Sequence, residues 1–561
     1  MVVDVALPTA IGVHHDHEER AMSQQSKLKA SRDKWHSKAS QRANETRYLR
    51  KQVARIKAER DQYRDEFKKA QRLLLQQTTR HSGVTCLPKV DLVLLAITLF
   101  TATRIGFRAI SRVLNVFADT LGIKNVPCPQ TIINWVMRLS LVRIQSASDL
   151  TGSLPIRVPR SNGLIWMIDM SIGLGTGKIL AVLALDANHH QLHSDAPCLQ
   201  EVRSVAVAVA NTWTGETIAD FLLRVIAVMG SPAAYLKDGG SDLKKAHTLL
   251  VEQGQTSVAI DDISHMVATI LKRHYQDHPA MTIFLTACGK VSSKFKQTIL
   301  ACLAPPKIQT KARFMNVHRL FAWADRLLNI STSGRALIGS TLFRLQYSLD
   351  RIPECKILIK RFRDDAAALL NCQKILKNHG LSRKTYLQCE PIIESIPSPA
   401  VRRDFADYLH AQLNIAAALG LAEIGMPISS DAIESLFGLG KQHGTGEIKD
   451  ANRMALRLPA MCGVPTRAEA QQIVEMGVAQ QTEFTGKLTS LEKQRRDVFS
   501  NHEGIEKLGL HHASNHVELI PGAGNRSNIQ KTHHTSTICK EDPGPKMEHQ
   551  AKPSYPERVA A

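Results

Sequence analysis

The sequence predicts a multidomain α+β protein. Three observations carry this. At 561 residues the chain exceeds one ordinary core, since a domain holds roughly 100–200 residues. Beyond Leu164 the apolar pattern switches from helical spacing to short strand-length runs. After about Val267 it turns helical again and stays so for a domain-sized stretch.

Hydrophobic residues at 43% and charged residues at 22% place most of the chain among folding sequences. The charge is lopsided. Lys and Arg number 72 and Asp and Glu 51, a net +21, which suits a polyanionic partner, nucleic acid or an anionic membrane. The membrane is the poorer match, because the longest apolar run, Val90 to Phe100, carries Asp91 and falls short of the ~20 residues a spanning helix needs. The first twenty residues lack a basic stretch ahead of an apolar one, so no secretory signal is expected there. Ten cysteines include no C-x-x-C pair. Reduced thiols in a cytoplasmic protein are expected, not a zinc ribbon or a disulfide framework.

Residues 1–26 read as irregular. Residues 27–80 lack Pro and Gly and hold 17 Lys and Arg against 6 Asp and Glu. A 4-3 spacing runs through Leu49, Val53, Ile56, Arg60, Tyr63, Phe67, Ala70 and Leu74, a coiled-coil seam with one polar slot at Arg60. A homodimer or higher homo-oligomer follows, and the basic outer face is open to two readings, a solvated helix surface or a phosphate contact.

Residues 85–150 follow the break at His81-Ser-Gly and hold three short helical patterns, from about Pro88 to Thr103, Gly106 to Leu121 and Pro129 to Leu141. In the third, Ile132, Ile133, Val136 and Leu139 face inward while Gln130, Asn134 and Arg138 face outward. A compact three-helix unit with a polar third helix is the helix-turn-helix pattern, and this segment resembles the DNA-binding modules of transposases and repressors. Plain helix packing is the rival reading.

Residues 160–266 hold strands. "LIWMIDMSIG" and "GKILAVLALD" are joined by the Gly-rich turn Gly173–Gly177, and "EVRSVAVAVANTW" alternates as a third strand. The turn lacks phosphate-loop spacing and reads as a hairpin. A helix over "TGETIADFLLRVIAVMG", a strand ending at Asp238, another helix and a strand ending near Asp261 complete the order β-β-β-α-β-α-β. That is the order of a ribonuclease-H-like mixed sheet, and not of a doubly wound dinucleotide fold, which starts β-α-β. Residues 267–424 read as an all-helical insertion, residues 425–465 as a return to the core on a helix carrying Glu434, and residues 466–500 as a helical extension. Residues 501–561, rich in His, Asn, Gly, Ser and Pro, read as a disordered tail. Its His511, His512, His533 and His534 suggest adventitious metal binding at most.

Three acids stand where such a core would hold its chemistry. Asp169 lies inside the apolar run Ile165–Met170, a costly place for a carboxylate unless something neutralises it. Asp238 closes the fourth strand before Gly239-Gly240, and Glu434 sits on the late helix. Three carboxylates can hold two Mg²⁺ or Mn²⁺ ions roughly 3.5–4 Å apart, and oxygen ligands without Cys-His clusters suit these hard ions better than zinc. Asp186 ends the second strand and reads as a turn residue, with an outer metal ligand as the rival. Asp242 rivals Asp238 but falls in a first helical turn, and Glu423 rivals Glu434 but stands beside the breaker Gly425. Asp261, Asp262 and His265 follow the fifth strand, where His265 either orients a phosphate or caps the helix.

The segments "WMIDMSIG", "YLKDGGSDLKKA", "IDDISHMVATILKR" and "SSDAIESLFGLGKQ" resemble the DDE transposases of bacterial insertion sequences, over about residues 85–465. The resemblance implies catalytic, metal-binding roles for Asp169, Asp238 and Glu434. It also implies that Lys441, seven residues past Glu434, contacts transposon-end phosphates. It implies a bacterial protein that binds terminal inverted repeats, cleaves DNA, and joins 3′-hydroxyl ends to target DNA. The long interval from Asp238 to Glu434 departs from integrase-like members, and a helical insertion accounts for it. Pro427 and Ser430 stand where some insertion-bearing members carry Tyr and Arg, so the subfamily stays open. A DNA-binding regulator or transposase relic, and a structure-specific nuclease of the same fold, are the competing readings.

Overall fold

A computed structural model describes residues 12–78, 86–103, 105–149, 163–171, 177–307, 313–331, 336–443, 450–485, 488, 491–500 and 516–522. These fall into two units, the described parts of Met1–Pro88 with Val113–Val126, and those of Lys89–Arg112 with Pro127–Ala561.

The first unit is dominated by one helix, α1 (Gly12–Thr78) of 67 residues, about 100 Å long at 1.5 Å per residue. It begins well before residue 27, so residues 12–26 are helical where irregular chain was expected. No Pro or Gly stands between Val13 and Thr78 to stop it. Of the expected seam, Leu49, Val53 and Ile56 are more than half exposed, and Arg60 turns to Asp61. The side chains of Tyr63, Phe67, Ala70 and Leu74 lie outside the described residues.

In the second unit, α2 (Lys89–Thr103), α3 (Phe107–Val116, which ends in the first unit) and α4 (Pro129–Gln145) occupy the three expected helical patterns. α3 stops earlier than the sequence suggested, and a turn closes at Gly122, whose φ of 64° favours glycine. α4 continues past Leu141 through the buried Val142, Arg143 and Ile144.

The sheet has six strands in the order β5-β4-β1-β2-β3-β6. β1 (Leu164–Met170), β2 (Lys178–Asp186) and β3 (Arg203–Ala210) form an antiparallel meander. Between β2 and β3 stands a single helical turn, α5 (His189–Leu192). α6 (Gly215–Met229) leads to β4 (Ala234–Lys237), parallel to β1, and α7 (Ser241–Glu252) leads to β5 (Val258–Asp261), parallel to β4. β2 is buried along nearly its whole length, as its unbroken apolar run requires of a strand covered on both faces. Trp166 and Ile168 of β1 join Phe221, Leu222 and Val225 of α6 and Leu243 and Leu250 of α7 in one core. Successive strand residues alternate faces, so Ile165, Met167 and Asp169 point to the other side. The expected hairpin turn falls largely on residues 172–176, outside the described residues.

β6 (Glu518–Leu519) corrects the expectation for the tail. It pairs antiparallel with β3, Val207 opposite Leu519. The Val517 carbonyl accepts from Val209 at 2.8 Å, and its N–H donates to Asn452 Oδ1 at 2.9 Å. The segment Val517-Glu518-Leu519 alternates like an edge strand, a signal too short to alter a composition dominated by His, Ser and Pro. The tail histidines His511, His512, His533 and His534 lie outside the described residues.

From α8 (Ile263–Tyr275) every described element up to α14 is helical: α9 (Pro279–Phe295), α10 (Arg313–Ser331), α11 (Thr341–Ser348), α12 (Lys356–His379), α13 (Arg383–Glu394) and α14 (Pro399–Ala418), with short 3₁₀ turns. Phe321 stacks on Phe362 at 3.9 Å, with Phe284 and Tyr275 around them. The fully buried Asp365 accepts from Tyr275 Oη and from Ser398 N, which satisfies a carboxylate that burial would otherwise penalise. α15 (Asp431–His443) then packs on β1, and α16 (Ala451–Ala455) on β2 and β3.

α17 (Arg467–Glu475), α18 (Val478–Thr485) and α19 (Leu491–Ser500) form the extension. α17 packs on both α2 and α4. The buried Arg143 donates to Glu469 Oε1 at 2.7 Å and to the Ala460 carbonyl at 2.9 Å. α4 therefore packs against residues 459–475 and α2 against α17, where a separate DNA-binding module was expected. Among the described residues no helix is long and apolar enough to cross a membrane.

Candidate functional site

Register brings the acids together. β1 and β4 run parallel with Ile168 opposite Lys237. One step further along both strands sets Asp169 beside Asp238, on the face away from α6 and α7. β4 and β5 run parallel with Lys237 opposite Asp261, and the next step adds Asp262 on that same face. The carboxyl ends of three neighbouring strands thus carry Asp169, Asp238 and Asp262 toward α15.

Asp262 ties the helices to this edge. It caps α8, accepting from His265 N at 2.8 Å, and its other oxygen accepts from Ser430 N at 2.6 Å and Ser430 Oγ at 2.9 Å. The Ile263 N–H donates to the Ile428 carbonyl at 3.0 Å. These bonds fix the start of α15. Its Ile433, Leu436 and Phe437 are buried, while Glu434, 41% exposed, comes within 3.8 Å of His265 Nε2. His265 Nδ1 lies 3.1 Å from Asp262 Oδ1. The imidazole therefore bridges the anchoring acid and the helix-borne one.

The electrostatics follow from this crowding. Burial, with the charge of Asp238 next in size, pushes Asp169 up to about 7, against the single backbone bond from Met170 N at 2.6 Å. Partial burial also raises Glu434. Burial alone would lower His265, but the bond and charge of Asp262, with Asp238 and Glu434 beyond, outweigh it and raise it to about 9. Burial likewise opposes ionisation of Asp262, and the His265 and Ser430 bonds win, holding its carboxyl below the usual range.

Asp169, Asp238 and Glu434 offer the oxygen donors that a hard divalent cation takes, although their three carboxylates do not all come within 4.8 Å of one another. Burial first, and the charge of Asp238 after it, keep Asp169 partly protonated at neutral pH, a penalty that a cation beside the carboxylate would relieve. Asp238 retains Gly240 N at 2.9 Å as a donor, and Glu434 is open to solvent. Beside Glu434 lies a cavity of about 480 Å³, bordered by Ser264, His318, Arg319, Gln373 and Lys377. Lys377 is held there by Asp431 at 2.6 Å. Lys441 sits on α15 with Glu434, two turns further on.

The rivals part from this cluster. Asp186 accepts from Asn188 N at 2.9 Å as a turn residue. Asp242 lies in the first turn of α7, where its charge suits the helix dipole. Glu423 is 74% exposed and pairs with Arg383. The outward placement of the α4 residues needs correction. Gln130 is exposed and donates to Asn134 Oδ1. Arg138, however, donates to Gln481 Oε1 at 2.8 Å and to the Ile473 carbonyl at 3.2 Å, and Gln481 Nε2 also reaches Asn134. α4 is apolar on more than one side, so α17 and α18 cover the edge that a single inward face would have left open.

Two pairings at the site escape sequence reading. Lys237, buried, meets Asp261 at 2.8 Å across β4 and β5, visible only once those strands are known to be in register. Lys377 reaches Asp431 from a helix 54 positions away, and nothing local signals it. No family model matches the chain, and no curated protein matches it.

Proposed function

We propose that this chain is a DNA transposase of the DDE type, acting in the bacterial cytoplasm on transposon terminal inverted repeats and on target DNA. The observation that carries the reading is the convergence of Asp169, Asp238 and Glu434. Two of them stand side by side at the ends of parallel strands, and the third faces them from a helix that Asp262 anchors. A sheet running β3-β2-β1-β4-β5, with the first three strands antiparallel, supports a ribonuclease-H-like core.

Asp169, Asp238 and Glu434 would hold two Mg²⁺ or Mn²⁺ ions, which when bound activate the attacking oxygen and stabilise the leaving one. The chain's own part is placement. Asp238 is fixed by Gly240 N, Glu434 by the anchored start of α15, and the His265 imidazole stands 3.8 Å from the Glu434 carboxylate as a counter-charge. Arg319, exposed at the cavity rim, and Lys441 supply positive charge for DNA phosphates. Each by itself, the basic face of α1 and the exposed Gln130 offer further contacts to DNA.

Incubating the protein with DNA carrying its element's ends, with and without Mg²⁺, tests the reading. Cutting followed by strand joining supports a transposase. Cutting without joining points to a nuclease, and a gel shift with intact DNA points to a regulator or relic. Within the same assay Glu434→Gln keeps the volume and removes the charge. DNA binding should survive while cleavage falls by at least about 10²-fold. Near-normal cleavage by this variant, with Glu423→Gln inactive, would move the site.

The exposed Leu49, Val53 and Ile56 support a homodimer or larger homo-oligomer built on α1, because a seam of this spacing gains stability only by meeting another helix. Deleting residues 1–80 should lower the mass measured by light scattering to that of a monomer. An unchanged oligomeric state would exclude α1 as the main contact.

A further inference from the structure

We propose that His189, His193 and Glu201 form a second metal site, one that takes Zn²⁺ or a similar transition cation and pins the loop between β2 and β3. His189 opens α5, and His193 follows its last residue, so the two imidazoles stand four positions apart on one face. Their rings stack at 4.7 Å, 15° from parallel. Glu201, two residues before β3, brings one carboxylate to both. His193 Nδ1 lies 3.2 Å from Oε1, and His189 Nε2 lies 3.9 Å from Oε2. Ligand atoms on a tetrahedral zinc with bonds of about 2.0–2.1 Å stand about 3.3 Å apart; the His193 separation matches this, and the longer His189 one asks that ring to move in on binding. Among the described residues, one His, Cys, Asp and Glu group has three such atoms within 4.8 Å of one another, and it is this one.

The donor set also suits the ion. Two imidazoles and a carboxylate select a borderline cation, in contrast to the all-oxygen set of Asp169, Asp238 and Glu434. A plain ion pair accounts for the arrangement less well. One carboxylate facing two stacked imidazoles satisfies both as cations only with those cations side by side, whereas a metal takes both neutral. His189 is buried, its Nε2 finds otherwise only the Asp195 carbonyl at 3.4 Å, and burial favours its neutral form. The Cys198 N–H donates to Glu201 Oε2 at 2.8 Å and orients the carboxylate. His193 is 45% exposed and Glu201 26%, which leaves an entry path and room for a water as fourth ligand.

The loop is a junction, which gives the ion a structural purpose. The Leu199 carbonyl accepts from Gly463 N at 2.6 Å. His190 lies against Gly380 and Gly425, where a Cβ on Gly380 would fall 2.5 Å from its ring. A cation joining His189 and His193 to Glu201 closes the two ends of the loop on each other, and so steadies its contacts with three distant segments.

The test uses the full chain, stripped with a chelator and dialysed against Zn²⁺, with bound metal counted by mass spectrometry. His193→Ala and Glu201→Gln should each bind one equivalent less than the parent, and the exposed neighbour Leu192→Ala should bind as much as the parent. Differences between proteins are compared, so ions held by the tail histidines or by the carboxylate set cancel. Zn²⁺ should raise the melting temperature of the parent and of Leu192→Ala by several degrees more than that of either ligand variant. Co²⁺ should give the parent a four-coordinate visible spectrum that His193→Ala lacks. Equal stoichiometry in all four proteins would overturn the site, and so would loss of the equivalent in Leu192→Ala. No readout involves DNA, so the result stands or falls apart from the transposase reading.

Discussion

Asp169→Asn should lower DNA cleavage by about 10³-fold, the upper range for losing one group that stabilises transition-state charge, and should make the metal-free protein more stable. Both effects have one cause. Asp169 is pushed up to about 7 from 3.8, first by burial and then by Asp238. The unfolded chain releases this proton near 3.8, while the folded chain holds it to about 7. The folded state therefore binds more protons between those values, and stability falls as pH rises through the window. The penalty is absent below about 3.8 and complete above about 7, where it reaches at most about 4 kcal/mol. Asn carries no such charge. Urea denaturation should show the variant gaining on the parent between pH 4 and pH 8, and Mg²⁺ should raise the melting temperature of the parent alone. A parent and variant with parallel pH-stability curves would show that Asp169 bears no unrelieved charge, and would remove the physical case for a cation there.

Much of this site was legible in the sequence because strands declare themselves by period. Asp169 stood out as a carboxylate within five apolar neighbours, and Asp238 as the last residue before a Gly-Gly break. Their adjacency needed the pairing of β1 with β4, which no local pattern contains. Glu434 was legible through its helix start and apolar face, although its partner His265 lies 169 positions away. The failures share a different cause. α4 shows one buried face in its own pattern, while Asn134 and Arg138 on its polar side are covered by Ile473 and Gln481. Arg143, two residues past Leu141, is buried and bound to Glu469, and that contact belongs to a segment more than 300 residues distant. β6 is invisible in the sequence because a two-residue strand cannot outweigh the polar composition around it. Sequence period finds elements that have a face of their own. It misses those whose second face is made by a remote segment.

Asp262→Ala should cost about 3–5 kcal/mol of stability, the range for breaking a buried ion pair by removing one partner. Asp262 is 1% exposed and satisfies four donors at once: His265 N, His265 Nδ1, Ser430 N and Ser430 Oγ. Without it, Ser430 N keeps no acceptor in a buried setting, and the His265 cation loses its closest counter-charge. Asp262→Asn retains one carbonyl oxygen and the volume, and should cost less, on the order of 2 kcal/mol. The pH dependence identifies the pair. His265 is raised to about 9 from 6.5 chiefly by Asp262, against burial. Its contribution is complete below about 6.5 and is lost as pH rises through about 9. The stability gap between the parent and Asp262→Ala should therefore narrow between pH 6.5 and pH 10. Cleavage by Asp262→Asn, assayed where the variant is folded, should still fall by about 10²-fold, because α15 is free to shift and a displacement of about 1 Å at a reacting group costs that much. DNA binding should remain. If the gap stays constant across that pH range, the His265–Asp262 pair adds nothing to stability, and α15 is held by the Ser430 bonds to Asp262 and the packing of Ile433, Leu436 and Phe437 alone.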